Sequence, residues 1–222
     1  IVTPIPDGGE EATAAWLLDV DDDGQTDLVW SEDLAVYTRL GPVRLDGTRP
    51  DDVYELSYLS AERAWMGDHD GDGKGELYLA EEHQLCIVDM ADVYAESQAG
   101  PPGCELLLES GLELRITSGP IASGDVDGDG KTDVLVGDIH AQGDLGGGGG
   151  AVLVYGGTTG RQFVDEVGQR FLADHSGAYL GVDVGLADVN GDGLDDVLLM
   201  SVTPSYEARV LIYDGAWLEA MR

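Results

Sequence analysis

Apolar residues in this chain gather in short runs separated by polar stretches, and the runs recur in the same order four times. Each set opens on a small-residue apolar run, at Ala14–Leu18, 64–67, Ile121–Gly124 and 181–187. A nine-residue polar stretch follows. Then comes a run of β-formers: Leu28-Val29-Trp30, Leu77-Tyr78-Leu79, Val134-Leu135-Val136 and Val197-Leu198-Leu199-Met200. A third run lies at 34–38, 85–88, 151–155 and Ala208–Tyr213, and looser segments at 53–59, 105–116 and 162–172 have room for a fourth strand. The near-continuous apolar second and third runs predict strands covered on both faces, as in sheets stacked against neighbours. Short helical turns are expected at 92–98 and 216–222, and nothing longer carries a 3.6-residue period.

The polar stretches begin at Asp19, Asp68, Asp125 and Asp188, with spacings of 49, 57 and 63 residues. The third reads Asp125-Val126-Asp127-Gly128-Asp129-Gly130-Lys131-Thr132-Asp133. Counting from its first Asp, each stretch carries an acid or Asn at positions 1, 3, 5 and 9 and Gly at position 6. Anions this close repel one another, and Asp and Gly are poor strand formers, so a cation that seeks oxygen is the simplest resident. Gly at position 6 lets the chain turn back sharply around such an ion. Four strands with their turns fill about 45–60 residues, which matches the repeat length. The expected fold is therefore all-β: a β-propeller with four blades, each a four-stranded antiparallel sheet with the acidic loop joining its first two strands. The blades fall at about 12–60, 61–118, 119–176 and 177–222 of a single domain spanning 1–222. The fourth unit stops after its third strand, and segment 1–11 is placed to supply the missing one. Pro4 and Pro6 confine that segment to an edge. The alternative is that the four blades form part of a larger ring, such as one of seven.

The loop is not an EF-hand. That motif needs a bidentate Glu at position 12 between two helices. Position 12 here is Trp30, Leu79, Val136 or Leu199, an apolar strand residue each time. The pattern Asp-x-Asp/Asn-x-Asp-Gly-x-x-Asp between two strands, repeated through nearly the whole chain, resembles the FG-GAP repeat. This is the blade unit of integrin α-subunit propellers and of related secreted bacterial proteins. Tyr179-Leu180-Gly181 stands where the family's aromatic-Gly lies, and Gly137-Asp138-Ile139 where its Gly-Ala-Pro lies. The resemblance implies calcium held by the side chains at positions 1, 3, 5 and 9 and by the backbone carbonyl at position 7. Site one would then use Asp19, Asp21, Asp23, Gln25 (carbonyl) and Asp27, and site two Asp68, Asp70, Asp72, Lys74 (carbonyl) and Glu76. Site three would use Asp125, Asp127, Asp129, Lys131 (carbonyl) and Asp133, and site four Asp188, Asn190, Asp192, Leu194 (carbonyl) and Asp196. All-oxygen ligands favour up to four Ca²⁺ over Mg²⁺, which demands a tighter octahedron.

Charge narrows the function further. The formal net charge is −33, from 44 acids against 11 bases, and 17 of the acids lie in the four loops. Four divalent cations would leave about −25, still strongly acidic. Nucleic acid needs a basic footprint, so it is excluded as a partner, and an anionic membrane surface is disfavoured. No run approaches the roughly 20 apolar residues of a membrane span. The two cysteines, Cys86 and Cys104, are candidates for a disulfide, the alternative being two buried free thiols. Extracellular or cell-surface location follows from the resemblance and agrees with such a bond.

His83 and His140 occupy the same repeat position, each 15 residues after its loop's first Asp. With Asp138 they are candidates for a ligand face opposite the calcium loops; the alternative is two exposed turn residues. The run Gly146–Gly150 is expected to be a flexible turn, since no helix start follows it to make a phosphate site. Trp16 and Trp65 read as core, whereas Trp30, Tyr37, Tyr58 and Trp217 are candidates for stacking on a sugar. No nucleophile elbow, Cys/His pair or zinc spacing is present in the sequence. The function expected by fold analogy is a protein-interaction or adhesion module. The alternatives are a carbohydrate-binding propeller and the propeller part of a secreted polysaccharide- or lipid-cleaving enzyme.

Overall fold

A computed structural model describes residues 14–20, 23–32, 35–39, 53–57, 61–81, 83–89, 103–110, 120–141, 148–164, 166–173 and 179–221. The segments expected as a closing strand at 1–11 and a helical turn at 92–98 lie outside the described residues, as do Asp21 and Tyr58.

Among the described residues the chain is all-β, with sixteen strands in four sheets and one short helix. The first sheet is a simple antiparallel meander of β1 (Ala14–Leu18), β2 (Asp27–Glu32), β3 (Ala35–Arg39) and β4 (Val53–Ser57). The second has β5 (Arg63–Gly67), β6 (Glu76–Glu81), β7 (Gln84–Asp89) and β8 (Leu106–Glu109), with β12 (Gly160–Phe163) as a fifth strand beyond β8. The third is β9 (Ile121–Gly124), β10 (Asp133–Asp138), β11 (Gly150–Val154) and β13 (Gln169–Leu172). The fourth is β14 (Tyr179–Ala187), β15 (Asp196–Val202) and β16 (Ala208–Tyr213), followed by α1 (Gly215–Met221).

The acidic loops set the register of every sheet. The residue before position 1 pairs with position 9 in all four: Leu18 with Asp27, Gly67 with Glu76, Gly124 with Asp133, Ala187 with Asp196. A one-residue slip would turn each strand's apolar set outward, so this repeated closure fixes which face packs.

The chain divides into two compact units. The first comprises Ile1–Gly67, Lys74–Glu81 and Leu85–Leu106. In it Val29, Val36, Leu77, Leu79, Leu85 and Ile87 are buried. Trp30 is buried too and stacks on its cross-strand partner Tyr37 at 5.6 Å, so it is a packing residue rather than an exposed sugar platform. Trp65, half-buried, stacks on Tyr78 at 5.2 Å. Cys86 on β7 is bonded to Cys104, with Cα atoms 5.4 Å apart, within the usual disulfide range.

The second unit comprises Asp68–Gly73, Glu82–Gln84 and Leu107–Arg222. Its core joins Leu135, Ala151, Leu153 and Phe171 to Leu180, Val197, Leu199 and Leu218. β10 and β11 are buried along their whole length, as their apolar runs predict. β16 is different: among the described residues it is the edge of a three-stranded sheet, and Val210 and Ile212 are 62% and 57% exposed. An apolar run reports which residues a strand has, not whether a neighbour lies beside it.

The segment 162–172 holds the fourth strand it has room for, and a second one besides. It divides into β12, which joins the sheet of the preceding repeat, and β13, which completes its own. The N–H of Val164 bonds the carbonyl of Glu109 at 2.9 Å, and Arg161 Nη2 donates to Glu109 Oε1 at 2.8 Å, so β12 is held by side chain as well as backbone. The described end of the glycine run is not a free turn. Gly149 bridges Leu180, whose N–H bonds the carbonyl of Gly148 at 2.9 Å. A Cβ on Gly181 would stand 2.1 Å from the carbonyl oxygen of Gly150, so glycines here let two backbones touch. The expected terminal helix is present as α1, capped by Asp214, whose Oδ1 accepts the N–H of Trp217 at 3.1 Å. No helix among the described residues is long and apolar enough to cross a membrane.

Candidate metal centres

Each acidic loop is folded by its own carboxylates. The position-1 Asp takes the N–H of the position-6 Gly in all four loops, at 2.9 Å for Asp19–Gly24 and 3.0 Å for Asp68–Gly73, Asp125–Gly130 and Asp188–Gly193. Those glycines have φ between +80° and +94°, a region an L side chain rarely adopts. The other oxygen of position 1 takes the N–H of position 4 in loops two to four (Gly71, Gly128, Gly191) at 2.6–2.8 Å. Position 3 accepts from the N–H of position 5 at Asp70–Asp72, Asp127–Asp129 and Asn190–Asp192. Position 5 accepts from the N–H of position 7 at Asp23–Gln25, Asp129–Lys131 and Asp192–Leu194. These bonds turn the chain so that several carboxylates converge.

Position 9 is the buried end of the loop. Asp27, Glu76, Asp133 and Asp196 are all at most 2% exposed. In loops one, three and four its Oδ2 accepts the N–H of position 2: Val20 and Val126 at 2.8 Å, Val189 at 3.1 Å. In loops three and four its Oδ1 accepts an N–H from just beyond the third strand, Gly156 at 2.8 Å and Gly215 at 3.0 Å. A carboxylate has about four lone-pair sites, so these bonds still leave acceptor capacity for a cation.

Among the described residues, two groups bring their ligand atoms within 4.8 Å of one another: Asp68, Asp70, Asp72 and Glu76 in loop two, and Asp125, Asp127 and Asp133 in loop three. Asp129, expected with the second group, lies outside it and caps the N–H of Lys131 instead. In loop four Asn190 offers one neutral oxygen, which takes the N–H of Asp192 at 2.8 Å, while its Nδ2 donates to Asp192 Oδ2 at 3.1 Å. In loop one the Oδ1 of Asp19 is buried without a hydrogen-bond partner. The position-7 side chains of loops three and four pack sideways. Lys131 lies against Gly71 and Gly157, and Leu194 against Gly128 and Gly215, which suits a role for this position through its backbone.

Electrostatics show what such a group lacks. Burial pushes the Asp133 carboxyl up to about 6, against the N–H bonds from Gly156 and Val126 that lower it; Asp125 and Asp129 push it further up. In loop four the N–H groups of Gly191 and Gly193 hold exposed Asp188 below the usual carboxylate range. Crowded carboxylates with an elevated member, as in loop three, suit a divalent cation, as does the buried unpartnered oxygen of Asp19 in loop one, and all-oxygen donors suit a hard one.

The other sequence candidates separate. His83 and His140 are exposed turn residues, and neither belongs to the two carboxylate groups. Asp138 is not a face residue. It is 1% exposed, and its Oδ1 accepts the N–H of His140 at 2.8 Å, so it caps that turn. Trp217 is exposed as expected.

Position 8, which sequence reasoning passed over, joins consecutive loops. The N–H of Asp125 donates to Asp195 Oδ2 at 2.9 Å and Asp195 N–H to the Asp125 carbonyl at 2.9 Å. Asp68 and Thr132 are joined in the same way. The available signal was that Thr132 and Asp195, unlike Gly75, carry a side-chain oxygen at that position. No family model matches the chain, and no curated protein matches it significantly.

Proposed function

We propose that this chain is a calcium-stabilised β-propeller of the FG-GAP type, working outside the cell as a protein-interaction module. The observation that carries the cation is the convergence of four carboxylates in loop two and three in loop three within 4.8 Å. Repetition of the same turn bonds in the other loops supports up to four such sites. The Cys86–Cys104 disulfide supports an oxidising compartment, where millimolar calcium meets the weak affinity of extracellular calcium modules, about 10⁻⁴–10⁻³ M. The metal's role here is to hold strand pairs rather than to act on a substrate. At tenfold excess of ion each site stabilises by roughly 1.4 kcal/mol through linkage. Several sites together reach the scale of a domain's net stability, about 5–15 kcal/mol.

The interaction role draws support from the last repeat, where Tyr206, Val210, Ile212 and Trp217 are exposed by 90%, 62%, 57% and 52%. Exposed aromatics also suit a glycan ligand, so a lectin-like propeller is the second reading. A protein pull-down beside a glycan array separates the two. The calcium claim is tested by melting the chain in calcium and in excess EGTA: a markedly lower melting temperature on chelation supports it, and an unchanged melt contradicts it.

A further inference from the structure

Loops two, three and four are connected in series by one repeated contact. Asp68 donates its N–H to Thr132 Oγ1 at 2.9 Å and accepts the N–H of Thr132 on its carbonyl at 2.6 Å. Asp125 does the same with Asp195, at 2.9 Å for both bonds. In each case position 1 of one loop is gripped through both backbone groups by position 8 of the next. Position 1 is the residue whose two carboxylate oxygens fold its own loop. Position 8 lies between the residue that bonds position 5 and the buried position-9 acid of its loop. One site's anchor therefore cannot shift without moving the arm of the next.

Packing reinforces the joint. A Cβ on Gly71 would stand 3.0 Å from the Lys131 stem, and one on Gly128 would stand 2.6 Å from Leu194 Cδ2, so the position-7 side chain of one loop lies on the position-4 glycine of the loop before it. Gly124, just ahead of loop three, has no room for a side chain, since its Cβ would stand 2.2 Å from Asp195 Oδ2. At the joint between loops two and three, buried His69 adds contacts from its ring nitrogens to the carbonyls of Thr132 (3.3 Å) and Thr158 (2.8 Å).

We infer that Thr132 and Asp195 are positioning residues that couple neighbouring cation sites, so that loops two, three and four fill cooperatively rather than independently. The inference rests on the cation reading of these loops. An ion that orders one loop fixes the backbone of its position 1, and with it the next loop's position 8, so the second ion meets a loop already partly set. Coupling of this kind is reciprocal, and typically changes affinity about 5–150-fold.

The test is a calorimetric calcium titration of the full chain and of Asp195→Ala, Asp195→Thr and Thr132→Val. Thr132→Val removes only the hydroxyl and leaves the Thr132 N–H bond in place, so it keeps the test open should Asp195→Ala fail to fold. The wild type is expected to bind with a Hill coefficient above one. Asp195→Ala and Thr132→Val are expected to lower it towards one and to weaken binding about fivefold or more. Asp195→Thr, which restores a side-chain oxygen of the kind Thr132 supplies, is expected to recover the wild-type curve. Independent sites in the wild type, or cooperativity unchanged in Asp195→Ala and Thr132→Val, would overturn the coupling while leaving the cation reading intact. No binding heat at all would remove both.

Discussion

Asp133 Oδ1 accepts the N–H of Gly156 at 2.8 Å, which ties the last residue of loop three to the turn that leaves β11. The bond keeps a carboxylate buried that solvent would otherwise hold ionised, and burial lifts it to about 6. In the metal-free protein Asp133 contributes stability that is fully present below the ordinary Asp value of 3.8 and is lost as pH rises through about 6. Cation binding needs the carboxylate and runs the other way. Calcium affinity at loop three is therefore expected to be about tenfold weaker at pH 5 than at pH 7, since one pH unit below its midpoint only about a tenth of the group is ionised. Titrations at the two pH values check this, and equal affinities would count against a ligand role for Asp133.

Two glycines with similar backbones are expected to respond unequally to substitution. Gly130 has φ +83°, and a Cβ there would meet nothing within 4 Å, so Gly130→Ala costs only the backbone strain, about 1–2 kcal/mol. Gly181 has φ +80°, and its Cβ would press on the Gly150 carbonyl at 2.1 Å, so Gly181→Ala must also push the touching backbones away from each other. Urea denaturation should show the larger loss for Gly181→Ala; equal losses would mean that the close approach carries no weight.

The disulfide closes a loop with a sequence separation of 18 residues. Chain-entropy arguments give about 3 kcal/mol for a loop of this size. A Cys86→Ser/Cys104→Ser chain should therefore melt well below the wild type, and addition of a reductant should lower the wild-type melt to match. Identical melts before and after reduction would make the bond dispensable.

The loops were legible because their chemistry lies in side chains at fixed positions. Asp or Asn at 1, 3 and 5, an acid at 9 and Gly at 6 predict a turn around positive charge, and the register Gly124 to Asp133 follows from where the apolar runs resume. What was not legible depends on neighbours. The run 162–172 does not reveal that β12 bonds to the sheet of the preceding repeat, because strand exchange is decided by backbone pairing. Trp30 reads as exposed until Tyr37 is placed across from it, and Val210 reads as covered, whereas among the described residues β16 is an edge. Asp138 looks like a surface acid beside His140, and only burial shows that it serves the turn.

The most direct test of the cation sites is equilibrium dialysis of the chain against millimolar calcium near neutral pH, with an Asp68→Ala/Asp125→Ala chain beside it. At least two ions per wild-type chain are expected, with dissociation constants on the order of 10⁻⁴–10⁻³ M, and a loss of two ions in the double variant. No bound calcium in the wild type, or undiminished binding in the variant, would contradict the assignment of the acidic loops as cation sites.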